Sequence, residues 1–182
     1  MPRIDAPTVD SAPAASQSQL AAVKKQLGVV PNLFRTIAHS PAALEGYLSL
    51  NGALAKGSLD AATRERIALA VAEFNGCNYC LAAHTYIGKN LAKLSDSEIE
   101  ANRRGRSSDA KADAAVVFAV KAVSTRGHVS EADLSAVRAA GLTEADIIEI
   151  IAHVALNTLT NFVNEVAGTD IDFPAARALK AA

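Results

Sequence analysis

The stretch Arg64-Glu65-Arg66-Ile67-Ala68-Leu69-Ala70-Val71-Ala72-Glu73-Phe74-Asn75-Gly76-Cys77-Asn78-Tyr79-Cys80-Leu81-Ala82-Ala83-His84 decides how this chain reads. Asp60 is placed to cap a helix that carries Ile67, Leu69, Val71 and Phe74 and breaks at Asn75-Gly76. A second helix starts around Cys77 and runs to about Leu91. At ~100° per residue, Cys77, Cys80 and His84 lie at about 0°, 300° and 340°, on one face, with His84 a turn beyond Cys80. The break puts both thiols in a first helical turn, where free backbone N–H groups and the positive dipole end favour a thiolate. An imidazole four residues on can take the thiol proton or stabilise the anion. Two thiols three apart can also close a disulfide, one attacking and the other resolving. Of the two, Cys80 is expected to be the more exposed and the more acidic.

Glu65 lies one helix earlier, on the face shared by Ala68, Leu69 and Ala72. If the break at Gly76 folds the two helices together, its carboxylate reaches His84, orients the ring and raises its basicity. Glu73 is the alternative carboxylate, about 80° further round the helix, with a solvated charge as its expected role.

Helical signals continue on both sides. A helix over about 18–27 closes at Gly28, and Pro31 and Pro41 read as first-turn prolines of two more, the second capped by Ser40 and ending near Gly57. Ser95 with Glu98 forms a capping box for a short helix ending at Gly105. Asp109 opens a long helix in which Val116, Val117, Val120 and Val123 recur before Gly127. Ser130 with Asp133, and Thr143 with Asp146, start the last two, the final one running over about 144–167 to Gly168. Sustained period-two alternation is missing, so no strand is assigned, and the short links favour antiparallel neighbours in a bundle. The expected fold class is all-α, with residues 1–17 as an extended arm. Residues 18–182 then form a single helical domain with an extended tail through Asp170-Ile171-Asp172-Phe173-Pro174.

Composition agrees. Half of the residues are apolar, Ala recurs throughout, and aromatics make up only 4% with no Trp, which suits closely packed helices better than sheets. The net charge is −1 with Lys and Arg dispersed, so there is no basic stripe for nucleic acid. The N-terminus lacks the pattern of a secretory signal, and no run reaches the ~18 uninterrupted apolar residues that suggest a membrane span. Two cysteines are too few for a secreted disulfide framework, which makes a reducing, cytoplasmic setting the expectation.

The final helix is apolar over more than one face, through Ile147, Ile148, Ile150, Ile151, Val154, Leu156, Leu159, Phe162 and Val163, and this predicts a homo-oligomer. On that helix His153, Asn157, Asn161 and Glu165 follow at i+4 steps. They read as a solvated or capped face rather than as part of a redox pocket. His39 and His128 fall at helix ends and carry no expected chemistry, while Tyr79 and Tyr86 flank the cysteines and shape a pocket wall.

The pattern Glu65, eleven residues, Cys77-x-x-Cys80, three residues, His84 closely resembles the core of the AhpD-like alkylhydroperoxidases, within the carboxymuconolactone decarboxylase superfamily. The resemblance is strongest over residues 58–94. It continues more weakly through Val30-Pro31-Asn32-Leu33-Phe34 and through His153 to Gly168, and the tail through Phe173-Pro174 is similar to peroxidase-related members. It implies an AhpD-like helical bundle assembled as a homo-oligomer. It implies a thiol-dependent peroxidase in which Cys80 attacks a hydroperoxide, Cys77 resolves the sulfenic acid as a disulfide, and His84 with Glu65 relays the proton. An unidentified dithiol reductant completes the cycle, with no metal, haem or flavin. Tyr79 stands where the best-known peroxidase members carry a second His, which implies a shorter relay. Three alternatives stay open. The four residues offer ligand types suited to one Zn²⁺, although no second ligand pair is present. The thiols can sense oxidants without catalysis. A decarboxylase acting on a lactone ring also belongs to the superfamily, although that reaction has no use for a dithiol.

Overall fold

Short polar side chains set where most helices begin. The computed structural model describes residues 1–179. These form nine α-helices and no strand: α1 Ala14–Leu27, α2 Asn32–Ile37, α3 Pro41–Leu54, α4 Ala61–Phe74, α5 Asn78–Asn90, α6 Asp96–Arg103, α7 Ala110–Ser124, α8 Glu131–Ala139 and α9 Glu144–Ala167. Ser40, Asp60, Ser95, Asp109, Ser130 and Thr143 each accept the backbone N–H three residues on. Each such cap typically contributes ~1 kcal/mol.

The N-terminal boundary differs from the sequence reading. The extended arm read over 1–17 ends at Pro13, and α1 begins at Ala14. Ser16 is fully buried there and donates to the Ala38 carbonyl at 2.8 Å, so the first turn is fixed by tertiary packing that no local signal announces. The arm before it is tied down: the Arg3 and Ile4 amides both donate to the Ala167 carbonyl, at 2.6 and 3.1 Å. Pro31 is the N-cap of α2 rather than part of its first turn, whereas Pro41 occupies the first turn of α3. α3 stops at Leu54, short of Gly57. The tail is non-helical as far as residue 179; residues 180–182 of the region read as domain and tail lie outside the described residues.

α4 is the central element, packing against α5, α6, α7 and α9. On one side Leu20, Leu33, Ile37, Leu44, Ala72, Tyr79 and Leu81 form a cluster that includes both cysteines. On the other, Ile67, Val71, Phe118, Val137, Ile150 and Val154 join α4, α7, α8 and α9. α9, 24 residues long, is by length and composition apolar enough to cross a membrane. Its apolar side chains are nevertheless split between inside and outside. Ile147, Ile150, Val154 and Leu156 are buried together with His153, Asn157, Thr160, Asn161 and Asn164, while Ile148, Ile151, Leu159, Phe162 and Val166 are exposed.

Glu98 corrects the expected capping box. Its amide is capped by Ser95, but its carboxylate does not turn back. It accepts instead from Arg66 Nε at 2.8 Å, Asn102 Nδ2 at 2.9 Å, and the Ser107 and Ser108 hydroxyls, with the Ser108 amide at 2.9 Å. Burial alone would raise its pKa, yet the bonds from Ser107, Ser108 and Asn102 hold it well below the usual carboxylate range. Stability from such a group is full above its unfolded pKa, near ~4.3, and is lost as pH falls toward the folded value. Glu98→Gln is therefore expected to cost about 2–3 kcal/mol at pH 7, with the gap to the native chain narrowing below pH ~4.3. Urea unfolding at pH 7 and pH 3 checks this, and a gap of equal size at both would contradict it.

Candidate active site

α4 and α5 are joined by a reversal at Gly76. The Cys77 amide reaches back to the Ala72 carbonyl at 3.0 Å and the Gly76 amide to Glu73 at 3.1 Å, a Schellman pattern with Gly76 at φ +70°. A side chain at Gly76 would be strained in that left-handed conformation. Cys77 thus ends one motif and begins the next. It is the N-cap of α5, one residue before the first turn where the sequence reading put it, and its sulfur accepts the Cys80 amide at 3.4 Å.

The reversal lays α5 back along α4, and Glu65 meets His84 with Oε2 2.8 Å from Nδ1. Both side chains are partly buried, at 18% and 21% exposure. The flanking arginines are engaged elsewhere, Arg64 with the Leu59 carbonyl at 2.9 Å and Arg66 with Glu98. Burial depresses the His84 pKa, but the charge and hydrogen bond of Glu65 together with the charge of Cys80 outweigh it, so the ring holds its proton above its ordinary value. Glu73 pairs with Arg103 at 2.7 Å and is not in contact with this pair.

Both thiols are free. They divide sharply in acidity. A hydrogen bond from Cys77 lowers Cys80 most; burial opposes it; the charge of His84 and the amides of Asn164 and Asn161 lower it further, bringing it down to about 6. The same contact and burial push Cys77 strongly upward. Cys80 is the more exposed thiol by a margin too small to matter, 2% against 0% for Cys77; both are buried, so the acidity of Cys80 comes from hydrogen bonds and charge rather than from solvent.

α9 supplies side chains that the sequence reading placed on a solvated face. His153, Asn157 and Asn161 are buried, and Asn164, not singled out from sequence, donates from Nδ2 to Cys80 Sγ at 3.2 Å. Asn161 Oδ1 accepts from Asn75 Nδ2 at 2.8 Å. The i+4 spacing drifts by ~40° per step on a 3.6-residue helix, so Glu165 has rotated into solvent while Asn164, seven residues after Asn157, returns to the inner face. That i+7 relation was the available signal. Tyr47 on α3 was also missed. It is partly buried, with its pKa raised by burial and then by the nearby charges of Cys80 and Glu65. Tyr79 points away from the cysteines: its hydroxyl accepts the Leu33 amide at 3.1 Å and donates to Asp172 at 2.8 Å, while its ring meets Phe173 at 5.8 Å. It fastens α2 and the tail to α5 rather than forming a pocket wall. Tyr86 is exposed, 6.0 Å from Phe173. His39 reaches the arm, its Nε2 2.7 Å from the Asp5 carbonyl. Among the described residues, no three His, Cys, Asp or Glu side chains converge as a metal site.

Known proteins share this fold. The profile of the Carboxymuconolactone decarboxylase family matches residues 41–125, which contain Glu65, both cysteines and His84. No curated protein matches the sequence significantly. An alkylhydroperoxidase AhpD-core, peroxidase-related protein from Ralstonia eutropha JMP134 superposes with a TM-score of 0.83 at 28% identity, over 94% of this chain and 92% of that one. A peroxidase-related protein from Silicibacter sp. TM1040 gives 0.80 at 26% identity, over 93% and 91%. The debrominase Bmp8, solved with 2,3,4-tribromopyrrole, gives 0.76 at 20% identity over 93% and 91%, a likeness of fold.

With Cys80 ionising near 6 and Cys77 shifted upward, iodoacetamide at pH 7 is expected to label Cys80 first. The rate should be half-maximal near pH 6 rather than the ~8.5 of a free cysteine. Peptide mapping across a pH series measures both. Faster labelling of Cys77 would reverse the assignment.

Proposed function

We propose that this member of the AhpD-like part of the carboxymuconolactone decarboxylase superfamily is a thiol peroxidase reducing hydroperoxides at the Cys77–Cys80 dithiol. One observation carries the reading. A sulfur of depressed pKa is hydrogen-bonded to a second, fully buried thiol, and its charge is felt by an imidazole whose Nδ1 lies 2.8 Å from Glu65 Oε2 and whose pKa Glu65 raises. This pairs a nucleophile, a proton donor and a resolving group. A lactone decarboxylase would leave the resolving thiol idle.

The Cys80 thiolate attacks the terminal oxygen of R–O–O–H. The S–O bond forms as the O–O bond breaks, leaving Cys80–S–OH and RO⁻, and the His84 imidazolium protonates RO⁻ to ROH. The Cys77 thiol then condenses with the sulfenic acid, forming the disulfide and releasing water. An external dithiol reduces the disulfide by exchange and leaves with the two electrons as its own disulfide. The cycle calls on no metal, haem or flavin.

Hydroperoxide consumption with a small dithiol donor tests the scheme. Cys80→Ser is expected to abolish turnover. Glu65→Gln, which keeps shape but removes the charge that orients His84 and raises its pKa, is expected to slow it by ~10²-fold or more, with the disulfide still able to form. Glu73→Gln should stay within a few-fold of the native rate. The reverse ranking of the two Gln variants would move the relay to the other carboxylate.

We also propose that α9 joins copies of this chain into a homo-oligomer. A surface helix turns its apolar side inward; α9 exposes Ile148, Ile151, Leu159, Phe162 and Val166 while burying three asparagines. Ile151 and Phe162 also border an apolar groove of about 830 Å³ shared with Phe74, Phe118, Val123 and Val154. Sedimentation equilibrium at micromolar concentration is expected to give a multiple of 18.9 kDa, reduced toward monomer by Phe162→Glu. A native chain sedimenting as a clean monomer would contradict this.

A further inference from the structure

Two polar atoms beside the Cys80 sulfur are buried without a hydrogen-bond partner in the protein, and they differ in kind. Asn161 gives its carbonyl oxygen to Asn75 Nδ2, and its own amide N–H₂ turns toward the Cys80 sulfur, whose charge it favours, without closing a hydrogen bond of normal geometry. Asn164 gives its N–H₂ to Cys80 Sγ, which leaves its carbonyl oxygen unpaired. The residues are 0% and 2% exposed, on one face of α9 and one turn apart, so bulk water does not serve either atom. Buried amides are ordinarily satisfied. A donor and an acceptor left open together at a nucleophilic sulfur describe the shape of a ligand that must itself offer an acceptor and a donor on adjacent atoms or on one.

We infer that Asn161 and Asn164 form an amide cradle for the terminal –OH of the hydroperoxide, with Asn161 Nδ2 donating a hydrogen bond to the oxygen under attack and Asn164 Oδ1 accepting one from its O–H. This deepens the thiol peroxidase reading and rests on it. The cradle keeps its fit through the step. Before transfer the oxygen belongs to R–O–O–H; afterwards the same O–H is part of Cys80–S–OH, still offering one acceptor and one donor. The proton of that –OH stays on its oxygen, and the separate proton that RO⁻ needs comes from His84. Asn75 fixes the Asn161 amide so that its donor, not its carbonyl, faces the sulfur. The cradle also sets a specificity. A peroxide with both oxygens alkylated has no O–H to offer Asn164, so the site selects hydrogen peroxide and alkyl hydroperoxides.

The test separates attack on a peroxide from attack by the same thiolate on carbon. Second-order rate constants for tert-butyl hydroperoxide and for iodoacetamide are followed across pH on the reduced native chain, Asn161→Ala and Asn161→Leu, and the pH-independent upper limits are compared. Asn161→Leu keeps close to the size of the side chain but has no donor and no charge, which separates loss of the donor from a cavity left by Ala. Both variants are expected to lose ~10²-fold in the hydroperoxide limit, the usual cost of removing one positioned donor, while the iodoacetamide limit stays within threefold. A parallel fall in both limits would mean a structural role and overturns the inference. So does an unchanged hydroperoxide limit in a native chain that reduces the substrate well. A native chain alkylated normally but inert to hydroperoxide defeats the peroxidase reading itself, and with it the cradle.

Discussion

The left-handed turn at Gly76 is the constraint on which the site depends. By closing the end of α4 with bonds from the Cys77 and Gly76 amides, it sends α5 back along the helix it has just left. Glu65 lies eleven residues before Gly76 and His84 eight after it, about 16 and 12 Å along their helices at 1.5 Å per residue. Only a reversal brings carboxylate and imidazole to 2.8 Å. The same turn makes Cys77 the N-cap of α5, with its sulfur receiving the Cys80 amide. One backbone conformation thus sets the thiol spacing, the field of the helix start and the proton relay.

Around that turn the protein does something a stability optimum would avoid. It buries two thiols and several amides where α4, α5 and α9 meet, beside a partly buried imidazole, and leaves some of the amide atoms without protein partners. Each such atom costs about 1–3 kcal/mol relative to a satisfied one. Apolar residues at Asn161 and Asn164 would pack there at lower cost. Retaining amides makes sense if they serve the sulfur, and the surrounding apolar shell strengthens every charge–dipole contact by excluding water. The C-terminal half of α9 buries Asn157, Asn161 and Asn164 and exposes Leu159, Phe162 and Val166 for the same reason, since its inner face lines the site.

Much of this was legible in the sequence because it is local. Asp60, Ser95, Asp109, Ser130 and Thr143 announce helix starts through contacts three residues away, and Gly76 announces its turn. The Glu65–Cys77–Cys80–His84 set was legible because both helices abut one turn, so spacing nearly fixes distance. What depends on distant chain was not. Ser16 holds the start of α1 through the Ala38 carbonyl. Tyr79 faces Leu33 and Asp172 instead of the cysteines. Glu98 abandons its own helix end for Arg66 and the serines after α6. The polar face of α9 was misread because a stripe of His and Asn looks solvated until α4 and α5 are known to cover it.

The central claim concerns the fate of one oxygen atom, and mass spectrometry of the product tests it most directly. Reduced Cys77→Ser protein is treated with one equivalent of tert-butyl hydroperoxide in the presence of dimedone, and the native chain is treated alike. The expected result is a dimedone adduct on Cys80 of the variant and, in the native chain, an intramolecular Cys77–Cys80 disulfide with little adduct. A native chain left fully reduced by the peroxide, or an adduct on Cys77 in a Cys80→Ser control but none on Cys80, would contradict it.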